Sequence, residues 1–237
     1  MCIIIAKPRH VELPPIEHIE ESWDSNPHGF ACVWSNNGVI KSYATLNREA
    51  CINFYRSLNR KVWKKIAASF HFRYATHGSK TKENCHAYVD KDRTIGFQHN
   101  GILRYSVPRD MDITDSEYFF RFMFLPIYES NGRLMNFDHV IENLKGGGDK
   151  FCFVKDGEIY TYGGFIKDGG CWYSNNCYVR HVKPAVQIKK SHSSKLKVYN
   201  YEKKETLIGK SDYNTENPCS ICTTFDCLRC DVSYDRY

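Results

Sequence analysis

Apolar residues occur in short runs and alternations of strand length along most of the chain before residue 180. This pattern predicts eight strands, at residues 2–6, 30–34, 39–44, 69–75, 94–99, 150–154, 158–162 and 171–174. The sequences SNNG at 35–38 and KDG at 155–157 predict hairpin turns, because Asn-Gly and Asp-Gly pairs readily adopt positive φ. Strands therefore dominate the predicted elements.

Helical periodicity is confined to a few segments. It is clearest at 48–69, where apolar residues recur every three or four positions: Ile52, Tyr55, Leu58, Val62 and Ile66. A second helix is predicted at 115–125, after the capping-box sequence TDSE and before Pro126, and a shorter one at 137–144. Many strands with few helices predict an α+β fold, in which packed sheets are flanked by helices.

The composition is that of a soluble globular protein, with 42% hydrophobic and 25% charged residues among 237. No apolar run approaches the length that spans a membrane, and CIII followed by Lys7 is too short for the apolar part of a signal peptide. Without a secretion signal, the eleven cysteines are interpreted as reduced thiols or metal ligands and not as a disulfide framework. The predicted location is the cytoplasm.

Charge divides the chain into two parts. Residues 181–210 hold eight lysines against two glutamates, which accounts for the whole net charge of +6. We therefore predict a main domain at 1–185 and a basic tail at 186–237. The lysine-rich stretch is either a solvated linker or a contact for nucleic acid. Little aromatic interleaving supports base stacking there beyond Tyr199 and Tyr201.

The tail ends in four cysteines with the spacing C-x2-C-x4-C-x2-C, namely Cys219, Cys222, Cys227 and Cys230. Paired C-x-x-C ligands suit a tetrahedral zinc site, and four thiolates leave no open position, so zinc here would be structural. The four-residue connector is short, which requires one compact loop or a site shared between subunits. Free thiols and an iron–sulfur cluster are the alternatives.

The first stretch, MCIIIAKP, raises a question about Cys2. Cys2 either begins an apolar strand or, if Met1 is removed, becomes the N-terminal residue, with a thiol beside its own α-amine. Such an amine has a pKa of roughly 7.7–8.0, so part of it is neutral near pH 7 and can act as the base for the thiol.

Three further motifs bear on this choice: FRYATHG at 72–78, FQHNGIL at 97–103 and TDSE at 114–117. Each also has a purely structural interpretation. Arg73 is compatible with a surface charge, and His77 with a turn. Asn100-Gly101 is a common turn dipeptide, and Asp115 is a carboxylate of the kind that a helix N-terminus favours.

Together, an N-terminal cysteine, R-[WY]-A-T-H-G, H-N-G and a D-[ST]-E helix start resemble the class II glutamine amidotransferases, an N-terminal-nucleophile family. The resemblance covers residues 2–180 and implies a four-layer αββα sandwich with the active site at the end of the sheets. The sequence departs from the family pattern at three places, the first of which is Ile3, where glycine is common. Tyr74 stands where many members have tryptophan, and NPHGF at 26–30 is the nearest match to their glutamine-covering loop.

The resemblance also implies a role for each motif residue. Cys2 is the nucleophile, and the Asn100 side-chain amide and the Gly101 backbone N–H stabilise the oxyanion. Asp115 and the Gly101 carbonyl bind the ammonium group of glutamine. Arg73 binds its α-carboxylate, and Thr76 and His77 line the same pocket.

The implied function is a glutamine-hydrolysing amidotransferase subunit that releases glutamate and ammonia without a catalytic cofactor. About 50 residues follow the resembling segment, too few for a synthetase, so ammonia is expected to pass to a separate protein. Small stand-alone chains of this type resemble some that bacterial viruses encode, which would place the protein in the host cytoplasm. The alternatives are a γ-glutamyl amide hydrolase of the same fold and an inactive binding module.

Overall fold

The computed structural model describes residues 2–76, 78–103, 107–108, 110–131 and 148–179, and these form a mixed α+β fold with antiparallel sheets. The strands are β1 (Ile3–Lys7), β2 (Phe30–Asn36), β3 (Val39–Thr45), β4 (Ala68–Phe72), β5 (Tyr88–Val89), β6 (Ile95–Asn100), β7 (Lys150–Lys155), β8 (Glu158–Tyr162), β9 (Ile166–Asp168) and β10 (Cys171–Tyr173). The helices are α1 (Ile16–Ser25), α2 (Arg48–Ser57), α3 (Arg60–Trp63), α4 (Asp115–Tyr118) and α5 (Leu125–Asn131), with a 3-10 turn at Glu83–Cys85 and a π-helical segment at Phe119–Phe124.

The larger sheet has the strand order β3-β2-β4-β1-β10-β9, so β1 lies near its centre between β4 and β10. Both neighbours run antiparallel to β1, with Ile3 opposite Phe72 and Ile5 opposite Tyr173. One face of this sheet packs against α1, α2 and α3. The side chains buried there include Ile3, Ile5, Phe30, Phe70, Phe72, Ile19, Trp23, Ile52, Tyr55 and Trp63.

The smaller sheet has the order β5-β6-β7-β8. One of its faces carries phenylalanines that pack against the π-helical segment and α5. The rings buried there are Phe97, Phe119, Phe120, Phe124, Phe151 and Phe153. Stacked and tilted aromatic rings therefore join this face of the sheet to the π-helical segment, and their burial stabilises the contact.

The remaining faces of the two sheets meet each other. Ile4 and Ala6 of β1 pack with Cys152 of β7, and Val33 of β2 packs with Val154 of β7. This arrangement explains the continuous apolar run at the start of the chain. A strand with both faces buried needs no polar alternation, and the side chains of Ile3, Ile4, Ile5 and Ala6 are all fully buried.

All eight predicted strands are present, and both predicted hairpins are confirmed. Asn37 and Gly38 have φ of 51° and 80° between β2 and β3, and Asp156 and Gly157 have 52° and 75° between β7 and β8. These positive values explain the Asn-Gly and Asp-Gly sequences at the two turns.

The single helix predicted at 48–69 is wrong. The chain instead forms α2 and α3, and then enters β4 at Ala68. Asn59 separates the two helices, because its side-chain oxygen accepts hydrogen bonds from the N–H groups of Lys61 and Val62 and so caps a new start. Val62, one of the residues that carried the helical pattern, is 54% exposed and does not face the core.

The helix predicted at 115–125 begins as expected and ends later than expected. Thr114 caps it, since its hydroxyl accepts the Glu117 N–H at 3.1 Å. Pro126 does not end the helix, which continues to Asn131 as α5. The preceding π-helical turn is wider than an α-turn, and it accommodates a proline that supplies no N–H.

Several predictions fall outside the described residues. These are the helix at 137–144, the domain boundary near 185, the basic stretch and the four-cysteine motif, so each stays a prediction. Among the described residues all the cysteines are free thiols. No helix in this part of the chain is both long and apolar enough to cross a membrane.

Candidate active site

Cys2 lies directly before β1, next to the segment that follows β4. The Tyr74 backbone N–H donates to its Sγ at 3.2 Å, and Sγ lies 3.5 Å from the Tyr74 carbonyl oxygen. The Asn175 side-chain amide donates to the Cys2 carbonyl at 2.7 Å. Burial raises the pKa of the Cys2 thiol, and the Tyr74 N–H and the charge of Arg73 oppose that shift. The thiol thus needs a base to become a nucleophile.

Asn100 ends β6 in the other sheet, and its side chain points to the same edge as Cys2. Asn100 Nδ2 donates to Ser174 Oγ at 2.9 Å, and Ser174 Oγ also accepts the backbone N–H of Ile4 at 2.8 Å. One hydroxyl therefore joins the strand that follows Cys2 to the strand that ends in Asn100. This contact brings the ends of the two sheets together.

Gly101 occupies a position that only glycine fits. Its φ is +154°, and a Cβ atom there would lie 1.8 Å from Asp149 Oδ1. The same carboxylate oxygen lies 3.1 Å from His99 Nε2, whose N–H we assign as the donor. His99 Nδ1 lies 2.8 Å from Ser116 Oγ, so the buried imidazole links the Gly101 loop to the start of α4.

Asp115 holds the loop that follows Gly101. Its Oδ2 accepts the Leu103 N–H at 2.7 Å, and its Oδ1 accepts the Ser116 N–H at 2.7 Å. Thr114 supplies the helix cap, and the carboxylate of Asp115 contacts both the loop and the first turn of α4. Asp115 and Gly101 are thus part of one local structure, as their common predicted role requires.

Arg73 is not a surface charge, because it is only 2% exposed. Its Nη1 donates to the Ser79 carbonyl at 2.7 Å and its Nη2 to the Gly78 carbonyl at 3.5 Å. Thr76 lies exposed on the intervening segment. His77 is outside the described residues.

Two residues at this edge have no signal in the sequence pattern. Ser174 and Asn175 follow β10, and the pattern predicts only a strand end there. Both are buried. The Ser174 side chain contacts Asn100 and the Asn175 side chain contacts Cys2, and each of these partners lies more than 70 positions earlier in the chain.

In the described part of the chain no cluster of His, Cys, Asp and Glu has the make-up of a metal site. Cys219, Cys222, Cys227 and Cys230 lie outside it, so zinc binding stays a prediction.

Beneath the edge lies a pair of buried histidines. The rings of His71 and His86 stack with centroids 4.3 Å apart, and His86 Nδ1 donates to the His99 carbonyl at 2.8 Å. Burial lowers the pKa of His86 to about 3 and that of His71 well below its usual value. Both side chains are therefore neutral in the folded protein at pH 7.

We expect the protein to lose stability as the pH falls below about 6.5, where an unfolded histidine takes up a proton. The folded pKa of both groups is lower than the unfolded one, so the unfolded state binds more protons throughout the acid window. Between pH 7 and pH 5 each histidine should cost roughly 2 kcal/mol in the free energy of unfolding. Denaturant unfolding at several pH values measures this loss.

The matched control is a second histidine with the same backbone conformation. His86 and His10 have φ of 62° and 64°, but His10 is exposed. His86→Asn should reduce the pH dependence of the free energy of unfolding by about one proton, and His10→Asn, the same change at an exposed position, is the reference. Equal slopes in the two variants would contradict the assignment to the buried pair.

Comparison with known proteins gives matches of two kinds, to a curated sequence and to solved structures, and no family model matches the chain. A segment of 47 residues is 43% identical to glutamine–fructose-6-phosphate aminotransferase (isomerizing) of Chlamydia abortus. This segment makes up 20% of this chain and 8% of that protein. The fold is similar to that of glutamine phosphoribosylpyrophosphate amidotransferase from B. subtilis, solved with ADP and GMP. The TM-score is 0.50 at 15% identity, over 75% of this chain and 42% of that one. The chain spans less than half the length of either protein. The structural comparison shows that its fold is similar to that of an amidotransferase.

Proposed function

We propose that this chain is a class II glutamine amidotransferase domain that hydrolyses glutamine to glutamate and ammonia, with Cys2 as its N-terminal nucleophile. The same proposal includes a four-layer αββα sandwich, which the apolar clusters on both faces of each sheet support. The short match to glutamine–fructose-6-phosphate aminotransferase and the similarity in fold to an amidotransferase support it independently.

One observation carries the proposal: a single buried hydroxyl, Ser174 Oγ, joins the strand after Cys2 to the side-chain amide of Asn100. An amide hydrolase needs a nucleophile and an oxyanion donor that both reach the same substrate carbonyl, so the two groups must lie close together. Neither residue is needed for the hydrophobic core at this place, since Cys2 precedes β1 and Asn100 ends β6.

The reaction requires removal of Met1. The α-amine of Cys2 then takes the thiol proton, and sulfur attacks the side-chain carbonyl carbon of glutamine. The Asn100 amide and the Gly101 N–H donate to the resulting oxyanion. The carbon–nitrogen bond breaks, and the proton passes from the amine to the leaving ammonia. Water then attacks the thioester and releases glutamate and the thiol.

Substrate selection rests on two charges at the far end of glutamine. Arg73, with Thr76 and His77, is proposed to bind the α-carboxylate, for which the planar guanidinium is well suited. The guanidinium already donates to the carbonyls of residues 78 and 79, so a bound carboxylate would share or replace these partners. Asp115 is proposed to bind the ammonium group.

Ammonia is proposed to be used by a separate partner. A phage-type origin and a cytoplasmic location belong to the same proposal and are not needed for the chemistry.

The decisive experiment measures ammonia and glutamate release from glutamine by the purified protein, with intact-mass analysis of its N-terminus. We expect equal amounts of both products and a mass without Met1. Hydrolysis of γ-glutamyl amides in preference to glutamine would favour the alternative hydrolase. An active protein that retains Met1 would exclude the α-amine as base.

We expect Arg73→Ala to raise the KM for glutamine roughly 10- to 100-fold, the value of a hydrogen-bonded charge contact. The rate at which iodoacetamide alkylates Cys2 should change much less, because that reagent carries no carboxylate. Arg48→Ala is the control, since Arg48 pairs with Asp24 on the exposed surface. A KM equal to that of the unmodified protein would mean that Arg73 has only a structural role.

A further inference from the structure

Two consecutive side chains after β10 contact the two residues that the proposed chemistry uses. Ser174 and Asn175 are 1% and 4% exposed. They follow Tyr173, which pairs with Ile5 of β1, so the chain of β10 leads directly to the edge where Cys2 lies. Neither side chain takes part in an apolar cluster, and both are engaged in hydrogen bonds over long sequence distances.

The side chain of Ser174 accepts a hydrogen bond from β1 that a backbone carbonyl would accept in a regular sheet. Its N–H donates to the Ile4 carbonyl at 2.9 Å, and its hydroxyl oxygen, instead of its carbonyl, accepts the Ile4 N–H at 2.8 Å. The second bond to that oxygen comes from Asn100 Nδ2 at 2.9 Å. Because a carboxamide is planar, fixing one of its N–H groups also fixes the direction of the other.

Asn175 is held at both ends of its own carboxamide. Its Oδ1 accepts the Cys177 N–H at 3.0 Å, and its Nδ2 donates to the Cys2 carbonyl at 2.7 Å. A residue at a chain terminus has lost its preceding neighbour and tends to fray. The bond from Asn175 fixes the main chain of Cys2 at the place where such fraying would displace the thiol.

We infer that Ser174 and Asn175 are positioning residues, of which Ser174 orients the oxyanion donor Asn100 and Asn175 fixes the nucleophile Cys2. This inference rests on the proposed glutaminase function and adds to it the means by which the two groups are aligned. One dipeptide sets both positions, so their separation depends on a single short segment. A misplacement of about 1 Å at such a site can cost roughly 10²-fold in rate.

Ser174→Ala should lower kcat about tenfold, a part of the roughly 10²–10³-fold loss expected when an oxyanion donor is removed. KM should stay nearly constant, because Arg73 and Asp115 are not bonded to Ser174. Ser174→Thr keeps the hydroxyl acceptor and should recover much of the lost rate. Ser25→Ala is the matched control, since the Ser25 hydroxyl donates to the Cys177 carbonyl on the same segment, on the exposed side.

Asn175→Asp separates the two bonds of that side chain. The carboxylate still accepts the Cys177 N–H but has no proton for the Cys2 carbonyl. Because the new charge lies near the thiol, kcat is measured across pH and its plateau values are compared. We expect the plateau to fall by roughly 10- to 100-fold.

A double variant shows whether Ser174 acts through Asn100. If it does, Ser174→Ala should add almost nothing to the defect of Asn100→Ala, because the group that it orients is already absent. A serine that only stabilises the fold would instead lower the rate equally in both backgrounds. Circular dichroism and thermal unfolding verify that each variant is folded.

The outcomes separate this inference from the function on which it rests. Full kcat in both Ser174→Ala and Asn175→Asp, in a protein that hydrolyses glutamine, would overturn the positioning roles and leave the glutaminase intact. Additive defects in the double variant would overturn the role of Ser174 alone. An unmodified protein that releases no ammonia from glutamine would remove the proposed function, and these roles with it.

Discussion

Cys2→Ala should reduce glutamine hydrolysis to the background rate while the protein stays folded. Cys2 is the nucleophile of the proposed reaction, and a neighbouring water lacks the sulfur that forms the thioester. Cys2 precedes β1, so the buried side chains of Ile3, Ile4 and Ile5 are unaffected. Ammonia release and thermal unfolding of the variant measure the two parts of this expectation.

The matched control is Cys177→Ala. Cys2 and Cys177 are the two partly exposed cysteines of the described residues, whereas the others are buried. The Cys177 N–H donates to Asn175 Oδ1, and alanine keeps this backbone group, so the substitution removes only a thiol. We therefore expect turnover within about twofold of the unmodified protein, the range of most changes away from a site.

The glutamine analogue 6-diazo-5-oxo-L-norleucine should label Cys2 covalently. The groups that orient glutamine would orient its electrophilic carbon at the same sulfur. Burial raises the pKa of Cys85 to about 11 and of Cys152 to about 12, so these thiols are far less reactive. Peptide mass spectrometry identifies the labelled residue. A label on any other cysteine would contradict the assignment of Cys2 as nucleophile.

The strands and turns were predictable because their signals are local. Asn37-Gly38 and Asp156-Gly157 need only their own backbone preferences to form turns. The run of apolar residues in β1 indicates a strand, but not that both of its faces are buried. The second face of β1 is buried because the other sheet packs on it, and no local sequence pattern indicates where that sheet lies.

The helices were less predictable for physical reasons of two kinds. In α1 the buried residues Ile19, Ser22 and Trp23 have helical spacing, but Pro14 and Pro15 precede them and suggest a loop. At 48–69 the spacing continued through Leu58, and the capping side chain of Asn59 outweighed it. Periodicity measures amphipathic character, and it does not register a cap that begins a new helix.

The site was predictable where it consists of compact motifs. Cys2, Asn100, Gly101 and Asp115 belong to short sequences with an expected order. The structure describes Cys2 and Asn100 where the ends of the two sheets meet, Gly101 directly after Asn100, and Asp115 at the start of α4, bonded to the loop after Gly101. Ser174 and Asn175 were not predictable, since their partners lie in other strands and serine and asparagine are ordinary residues after a strand. Contacts of this kind require the tertiary fold.

Gly101→Ala should have the largest effect of any methyl addition at this edge. A Cβ atom would lie 1.8 Å from Asp149 Oδ1 and 2.8 Å from His99 Nε2, and φ is +154°. Either the Asp149–His99 contact breaks or the backbone of Gly101 moves. We expect roughly 3–4 kcal/mol lower stability from crowding and backbone strain together. Turnover should fall roughly 10²-fold or more, because the displaced N–H is a proposed oxyanion donor.

Gly38→Ala separates strain from crowding. Gly38 also has positive φ, at +80°, but nothing lies within 4 Å of the added Cβ. It should cost only about 1–2 kcal/mol and leave turnover unchanged. Adding Asp149→Ala to Gly101→Ala removes the closest atom and should restore part of the stability. Denaturant unfolding and glutamine turnover of the three variants give the comparison. If Gly101→Ala were no more harmful than Gly38→Ala, the close packing of the Gly101 loop on Asp149 would be contradicted.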